Sequence, residues 1–335
     1  MAPVPAANRS RRDKLDKGRV CLIGAEYNNM TTKSTRRDLV KLLALAPVLE
    51  TRAAERNMFL SLNSVLISGR VKWPDFARLA AKVGFSGTDV ALAPAMEAGA
   101  AATRDLLAQL NVRPAVLDFP VEFRKDDAAF EAGLPKLKEA APFAAAIGCP
   151  RMVTYIMSSS PIPKDELRKT YKARFTECAR ILAGSNVRLG LEFLGPLHLR
   201  KAFPHEFIWH MNEMLEFAKE CGPNVGLLLD VWHWHHAGAT TQDIIAAGRE
   251  SIVHVHFNDA PNLPPDQIRD NQRLLPGEGV IDLVGFLRAL QKIGYSDALS
   301  VEVFGRLKDV PPEEAAKQGL DASIGVFKKA GVPQG

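Results

Sequence analysis

Short apolar runs alternate with longer segments of helical periodicity along most of this chain. From Met58 onward, runs rich in Val, Leu and Ile predict eight strands at 59–62, 87–92, 114–118, 152–156, 187–193, 225–230, 252–257 and 298–303. The segments that follow them predict helices at 74–82, 100–111, 126–147, 164–183, 205–220, 241–249, 281–293 and 312–330. Eight strand–helix units over roughly 270 residues predict an α/β fold, a single-domain (β/α)8 TIM barrel spanning 58–330.

An open, doubly wound sheet is the other arrangement that alternating strands and helices can adopt. In that fold, a Gly-x-Gly-x-x-Gly loop after the first strand commonly binds a dinucleotide. The residues that follow the predicted strand at 59–62 lack this pattern. The sequence therefore favours the closed barrel over the open sheet.

Four of the predicted strands carry, at or next to their C-terminal end, a side chain that can bind a metal ion. These side chains are Glu192, Asp230, His256 and Glu302, spaced 38, 26 and 46 residues apart. Side chains at the C-terminal ends of barrel strands converge on one mouth. We therefore predict that these four side chains converge. Three carboxylates and one imidazole are suitable ligands for a single divalent metal ion.

Alternation along a strand predicts which residue lies beneath each of these side chains. Residues two positions apart share one face of a strand, so His254 shares the face of His256. We predict that His254 is a buried residue that packs beneath the ligands or supports them, and that it is not a further ligand.

The charge of the chain is concentrated near its N-terminus. The formal net charge is +5, yet residues 1–57 hold twelve Lys and Arg against six Asp and Glu, so the remaining residues sum to −1. A near-neutral body gives no electrostatic reason to expect a nucleic acid partner. No run reaches the roughly 18 apolar residues that a membrane-spanning helix needs, so stable membrane insertion is not expected. The four cysteines form no Cys-x-x-Cys pair, which argues against a zinc ribbon.

Residues 1–57 are predicted to be an N-terminal leader that packs poorly on the barrel. Arg36 and Arg37 precede a short, weakly apolar segment and then small residues, a pattern similar to a bacterial twin-arginine export signal. The start of the chain is open between Met1 and Met30. The signal predicts a periplasmic location, and a basic amphipathic first helix in a cytoplasmic protein is the alternative.

Short motifs surround the four candidate ligands. Glu192 ends Gly-Leu-Glu, Asp230 begins Asp-Val-Trp-His, His256 begins His-Phe-Asn-Asp, and Glu302 is central in Ser-Val-Glu-Val-Phe. Together with the loop Leu-Pro-Gly-Glu-Gly at 275–279, these motifs resemble the xylose isomerase-like barrel superfamily. That superfamily includes sugar phosphate isomerases and epimerases, ketose 3-epimerases, hydroxypyruvate isomerases, inosose dehydratases and type IV apurinic endonucleases. The resemblance covers about residues 58–330 and is densest from 187 to 305.

The resemblance implies a cofactor and a reaction. The four matched residues would bind one divalent metal ion, with Mn²⁺ expected and Mg²⁺, Co²⁺ or Zn²⁺ as alternatives. Glu192 and Glu302 would also be catalytic, because a cation on a carbonyl and its neighbouring hydroxyl stabilises an enediolate with which carboxylates exchange protons. Exchange on opposite faces gives epimerisation, and exchange on one face gives aldose–ketose isomerisation. The implied activity is that of a metal-dependent sugar or polyol isomerase or epimerase.

Histidine and arginine residues near the strand ends are candidates for substrate binding. His233 stands at a position that the resembled family uses to contact substrate, and Arg273 is expected to meet a polyhydroxyl or anionic group. His235 and His236 are interpreted as loop residues. A solvated or structural loop role is the alternative for His233 and Arg273 as well.

Two polar residues directly follow the predicted ligand on the seventh strand. Asn258 and Asp259 are expected to orient His256 by hydrogen bonding, as residues behind metal-binding histidines commonly do.

The sequence leaves two further functions open. An inosose-type dehydratase, a lyase, would use the same metal ion and base, and a non-catalytic sugar-binding barrel would keep the fold without the chemistry. A nuclease is disfavoured, because the type IV endonucleases bind three metal ions and only four strong ligand candidates appear here. The expected partner is a small carbohydrate or polyol, and the lack of a phosphate-binding glycine loop favours an unphosphorylated one. Assembly into a homo-oligomer is left open.

Overall fold

Eight parallel strands close into a barrel, which confirms the predicted fold. The structure, a computed structural model, describes residues 57–335. The barrel strands are β1 (Phe59–Leu62), β2 (Gly87–Val90), β3 (Arg113–Asp118), β4 (Arg151–Ile156), β5 (Arg188–Phe193), β6 (Val225–Asp230), β7 (Ile252–Phe257) and β8 (Ala298–Val301). Each strand pairs with its neighbours in sequence, and β8 pairs with β1 to close the barrel. All eight C-terminal ends therefore surround one mouth.

Helices cover the outside of the barrel and connect its strands. They are α1 (Asp75–Val83), α2 (Leu92–Ala98), α3 (Ala100–Leu110), α4 (Asp127–Ala146), α5 (Lys164–Ala183), α6 (Leu197–Arg200), α7 (Met211–Cys221), α8 (Val231–His236), α9 (Thr241–Ala247), α10 (Leu283–Lys292) and α11 (Pro312–Ala330). Single 3₁₀ turns occupy Ser64–Ile67, Arg249–Ser251 and Asp270–Gln272. The apolar residues of each long helix recur at helical spacing and pack against the strands, which forms the main core.

The connecting segments after the fifth and second strands differ from the predicted pattern, and the former also contains the unpredicted short helix α6. Helix α7 begins at Met211 instead of 205, because His205–Glu206 pairs with Ser159–Ser160 in a short antiparallel ribbon. Strand β2 ends at Val90, and the unpredicted helix α2 follows almost at once. Both differences lie in connecting segments and leave the order of the barrel strands unchanged.

The segment after β6, interpreted as a loop for His235 and His236, forms helix α8. The backbone N–H of Trp232 donates a 2.8 Å hydrogen bond to Oδ1 of Asp230, which caps the first turn of this helix. The strand thus passes directly into a helix at Asp230. One oxygen of this candidate ligand is fixed by that cap.

The inside of the barrel is filled by small apolar clusters below the mouth. Val116, Val153 and Leu228 form one such cluster, and the first two also line a cavity at the mouth. Gly190 lies in the same region, where an added Cβ would meet Cγ1 of Val153 at 3.0 Å and the backbone of Leu228 at 3.2 Å. The barrel is therefore packed beneath the candidate ligands and open above them.

The predicted leader at 1–57, including Arg36 and Arg37, lies outside the described residues except for Asn57. Among the helices of the described part, none is long and apolar enough to cross a membrane. Cys149, Cys178 and Cys221 are buried free thiols.

Candidate metal centre

The four predicted ligands lie together at the barrel mouth. Glu192 is the next-to-last residue of β5, Asp230 is the last of β6, His256 is the next-to-last of β7, and Glu302 directly follows β8. All four are buried, and one donor atom from each lies within 4.8 Å of the others. The convergence that the strand ends predicted is thus present in the structure.

The imidazole of His256 is at the centre of this cluster. Its Nδ1 atom lies 3.0 Å from Oε2 of Glu302, 3.5 Å from Oε1 of Glu192 and 3.6 Å from Oδ2 of Asp230. In the part of the chain that the structure describes, Nδ1 of His256 and Oε1 of Glu192 are buried without a hydrogen-bond partner. Because leaving buried polar atoms unpaired is costly, these two atoms have bonding capacity that a bound cation would use.

The charges of the cluster also fit a divalent cation. Nη1 of Arg273 donates to Oδ2 of Asp230 at 2.6 Å and to Oε2 of Glu302 at 2.8 Å. The three carboxylates carry −3 and Arg273 carries +1, which leaves −2 for a divalent ion to balance when His256 is neutral. Carboxylate oxygens and one imidazole nitrogen are donors that Mn²⁺, Zn²⁺ and Co²⁺ accept. The donor set therefore fits the metal ion that the sequence predicted.

Burial and neighbouring charges together shift the pKa values of the groups in the cluster. Burial raises the pKa of Glu192 to about 7. Burial disfavours the protonated form of His256, but the charge of Glu302 outweighs this effect and holds the pKa of His256 well above its usual value. Burial also disfavours the ionised form of Asp230, yet Arg273 holds the pKa of Asp230 well below its usual range. In the absence of another cation, Glu192 and His256 thus bind protons more tightly than usual, whereas Asp230 stays ionised.

Arg273 braces the ligands and is almost completely buried, with 2% of its surface exposed. Besides Asp230 and Glu302, its guanidinium donates to Asp270 at 3.1 Å and lies 3.3 Å from Nε2 of His233. The structure therefore places Arg273 among the ligands, where both terminal nitrogens already contact protein groups, while its Nε is buried without a hydrogen-bond partner within the described residues.

His233, the other predicted substrate contact, lies on α8 and is buried. Burial lowers the pKa of His233 to about 4, so its imidazole is neutral and can accept a hydrogen bond from Arg273. His233 thus positions Arg273, which in turn positions the carboxylates.

The residues predicted to orient His256 make different contacts. Nδ2 of Asn258 donates to Oδ1 of Asp230 at 3.0 Å, so Asn258 supports a different ligand. Nε2 of His254 lies 2.8 Å from Oγ of Ser300, and His254 is fully buried beneath the mouth as alternation predicted. Asn258 therefore supports Asp230, whereas the ring of His254 packs edge-on against that of His256, with ring centroids 5.5 Å apart.

Asp259 organises the loop before α10. Its Oδ1 accepts hydrogen bonds from the backbone N–H groups of Ala260 and Ile281, and its Oδ2 accepts from those of Gly277 and Gly279. The Pro-Gly motif of this loop is therefore a structural element that Asp259 holds in place, and Asp259 does not orient His256.

Replacing Asp259 with alanine is expected to destabilise the barrel by about 2–3 kcal/mol, because several buried amide groups lose their acceptor. The midpoint of urea unfolding measures this loss. Asp266→Ala, a change of the same kind at an exposed position in the preceding loop, is expected to stay within about 0.5 kcal/mol of the unchanged protein. Equal stability of the two variants would show that Asp259 does not hold the loop.

A cavity of about 490 Å³ opens beside the cluster, and His256 and Glu302 form part of its wall. The sequence analysis did not identify the other polar residues that line it, which are Asn63, Ser64, Lys72, Asp89 and Asp118. Asp89 and Asp118 lie at the ends of β2 and β3. The rule that identified the four ligands applies to Asp118, which ends the predicted third strand, whereas the predicted second strand ran past Asp89.

A closed eight-stranded barrel with a candidate divalent-metal site at its C-terminal mouth defines the class of protein. Residues 77–326 match the xylose isomerase-like TIM barrel family, and the chain belongs to that family.

Two relatives of known activity and two solved structures are similar to the chain. An inosose isomerase of Halalkalibacterium halodurans is 28% identical over 223 residues, which are 65% of this chain and 77% of that protein. A 3-dehydroshikimate dehydratase of Pseudomonas aeruginosa is 35% identical over 109 residues, which are 32% of this chain and 17% of that protein. A xylose isomerase domain protein from Alicyclobacillus acidocaldarius superposes with a TM-score of 0.76 at 28% identity and covers 82% of this chain and 99% of its own. The IOLI protein with a bound zinc atom superposes with a TM-score of 0.69 at 24% identity, with coverage of 82% and 99%.

Proposed function

We propose that this chain is a divalent-metal-dependent isomerase or epimerase that acts on a sugar or polyol carrying a carbonyl group. The observation that carries the proposal is the pair of unpartnered buried atoms, Nδ1 of His256 and Oε1 of Glu192, in a four-residue cluster beside a cavity. A cavity of about 490 Å³ lies within the range of small-molecule sites. The similarity to an inosose isomerase supports the same class of reaction.

In this proposal Glu192, Asp230, His256 and Glu302 hold one metal ion. When bound, the ion would polarise a substrate carbonyl and make the neighbouring C–H group more acidic. Mn²⁺ is the first ion to test, and Zn²⁺ is tested beside it because the IOLI protein has a zinc atom.

Glu302 is the carboxylate placed to exchange a proton with a substrate, because it lines the cavity. Its Oε2 is engaged by Arg273, whereas its Oε1 has only a long 3.5 Å contact with Nδ2 of Asn63. Oε1 is therefore available as a base. Glu192 lies across the cluster on β5, separated from Glu302 by strands β6 and β7, and is the proposed partner that returns the proton.

The proposed reaction predicts solvent hydrogen in the product. The Mn²⁺-loaded chain is incubated in D₂O with a panel of ketoses, ketose phosphates and inososes, and the products are analysed by NMR. We expect deuterium at the carbon next to the carbonyl, since proton removal by Glu302 allows exchange with solvent. Turnover without any deuterium incorporation would overturn the proton-transfer mechanism.

A dehydratase is the second candidate, supported by the similarity to a 3-dehydroshikimate dehydratase over 109 residues. The same panel separates the two functions, because a lyase product is lighter than its substrate by one water molecule. Isomerase products keep the mass of the substrate. A chain that binds members of the panel and converts none of them would be a non-catalytic sugar-binding barrel.

A further inference from the structure

Two carboxylates that the proposed metal site does not use line the cavity from strands β2 and β3. Oδ1 of Asp89 accepts hydrogen bonds from Oγ of Ser61 at 2.8 Å and from Oγ of Ser300 at 2.6 Å. Nε2 of His254 lies 2.8 Å from the same Ser300 hydroxyl. These contacts join β1, β2, β7 and β8 and fix the orientation of the Asp89 carboxylate.

The second carboxylate, Asp118, is exposed and lines the same cavity. Among the described residues, no donor forms a hydrogen bond to its side chain that would occupy its acceptors. Asp118 and the second oxygen of Asp89, which receives neither serine bond, are thus both available to a molecule in the cavity.

Another part of the cavity wall is apolar. Val65, Val71, Trp73, Phe76 and Val90 all line it. A cavity with carboxylates on one part of its wall and apolar groups on another suits a carbon ring or chain that carries several hydroxyl groups.

Positive charge is sparse in this lining. Lys72, an exposed side chain, is its only lysine or arginine within the described residues. Arg273, the cation nearest the ligands, is buried and already engaged by Asp230 and Glu302. The cavity therefore offers little to balance an anionic group on a substrate.

The same cavity also borders the proposed metal site. His256, which lines it, is 6% exposed and has an Nδ1 atom without a hydrogen-bond partner in the described chain. Asp89 and Asp118 therefore line one cavity together with two residues of the proposed metal site, His256 and Glu302.

We propose, on the basis of the function proposed above, that Asp89 and Asp118 bind substrate hydroxyl groups and restrict the site to uncharged polyhydroxylated carbonyl compounds. Ionised carboxylates are acceptors only, so hydroxyl groups satisfy them, and these charge-assisted hydrogen bonds are among the stronger ones. A substrate carboxylate or phosphate in the same place would meet like charge without a donor. This repulsion, more than the attraction for hydroxyl groups, gives the selectivity.

The test compares two probes that differ in one charge. Binding of shikimate and of methyl shikimate, which has the same ring and hydroxyl groups, is measured by calorimetry with the Mn²⁺-loaded full chain at pH 8. The unchanged protein is expected to bind the ester about tenfold more tightly than the acid, a difference of about 1.4 kcal/mol. Asp118→Asn and Asp89→Asn are each expected to reduce this ratio to about threefold or less. The control Glu131→Gln, at an exposed position on α4, is expected to leave the ratio unchanged.

The Asp118→Asn variant guards against misfolding, because Asp118 does not take part in the hydrogen bonds that Asp89 makes across the barrel. Three outcomes would overturn the proposal. Shikimate could bind as tightly as its ester, the ratio of the two affinities could stay the same in both Asp variants, or neither probe could bind. The failure of the proposed function is distinct from these outcomes. It would appear as the expected tighter binding of the ester, reduced in the two Asp variants, together with no conversion of any neutral ketose or inosose.

Discussion

Replacing Glu302 with glutamine is expected to lower turnover by about 10²–10⁴-fold, the range typical of a lost general acid or base. Glutamine keeps the size of the side chain and one oxygen atom, so the barrel is expected to stay folded and to bind its metal ion within about tenfold of the original affinity. The effect follows from position, because Glu302 both belongs to the cluster and lines the cavity. An amide cannot accept a proton from a carbon atom, and more metal ion is therefore not expected to restore activity.

Three measurements check this result: steady-state turnover of the best substrate in the panel, Mn²⁺ binding by calorimetry, and far-ultraviolet circular dichroism. The matched control is Glu216→Gln, the same change at an exposed position on α7, which is expected to retain full activity. A Glu302→Gln variant that keeps more than a tenth of the turnover would remove Glu302 from the proton-transfer role. Loss of metal binding together with activity would show that Glu302 is mainly a ligand.

Replacing His256 with alanine is expected to lower the affinity for the metal ion by about 10³-fold, more than the 10–100-fold loss typical of residues that only support a ligand. His256 is the one nitrogen donor among the four residues, and its Nδ1 lies between 3.0 and 3.6 Å from the three carboxylates. His205→Ala, at an exposed position in the short antiparallel ribbon, is the matched control. Mn²⁺ and Zn²⁺ binding by calorimetry measures the loss, and an affinity unchanged in His256→Ala would contradict the proposed site.

The same site predicts how metal binding depends on pH. A metal ion binds ionised carboxylates and neutral imidazole, so its binding must displace the protons that these groups hold. Because the pKa of Glu192 is raised to about 7 and that of His256 is raised well above its usual value, protons compete more strongly as the pH falls. We expect the affinity for Mn²⁺ to decrease from pH 8 to pH 6, by up to about tenfold per pH unit for each group displaced. An affinity that rises on acidification would contradict the assignment of these ligands.

Metal binding should also stabilise the folded chain. An ion present at 100 times its dissociation constant adds about 2.7 kcal/mol to the free energy of unfolding. A thermal unfolding experiment with Mn²⁺ and then with excess chelator is expected to show a higher midpoint that falls back when the ion is removed. The absence of this shift in His256→Ala would connect the stabilisation to the proposed site.

The local sequence was sufficient for the barrel and for the four candidate ligands. An apolar run such as 225–230 is buried on both faces in a parallel barrel, so it appears as an uninterrupted run, and the polar residue that ends it marks the mouth. Sequence neighbours are also neighbours in this barrel, so the order of strands required no long-range information. Glu192, Asp230, His256 and Glu302 could therefore be placed together before their distances were known.

Contacts between segments far apart in the chain decided the rest. The bond between Ser300 and Asp89 joins residues 211 positions apart, and the bond between Arg273 and Asp230 spans 43 positions. Which donor a buried carboxylate meets depends on how loops fold back over the mouth, and no local pattern of apolar and polar residues encodes that. For this reason the sequence did not predict the contacts of Arg273 with Asp230 and Glu302, and its predicted contact with substrate stays a prediction.

The sequence by itself determined the fold class, the mouth of the barrel and the types of residue that can hold a metal ion there, because these follow from alternation and periodicity along the chain. Only the tertiary structure decided which polar groups brace the ligands and which face the cavity. Asp259 holds the Pro-Gly loop, and Asp89 and Asp118 line the cavity, although all three acids lie at or near the ends of barrel strands. Their different roles arise because burial and hydrogen bonding act through space, between strands and loops that the sequence separates.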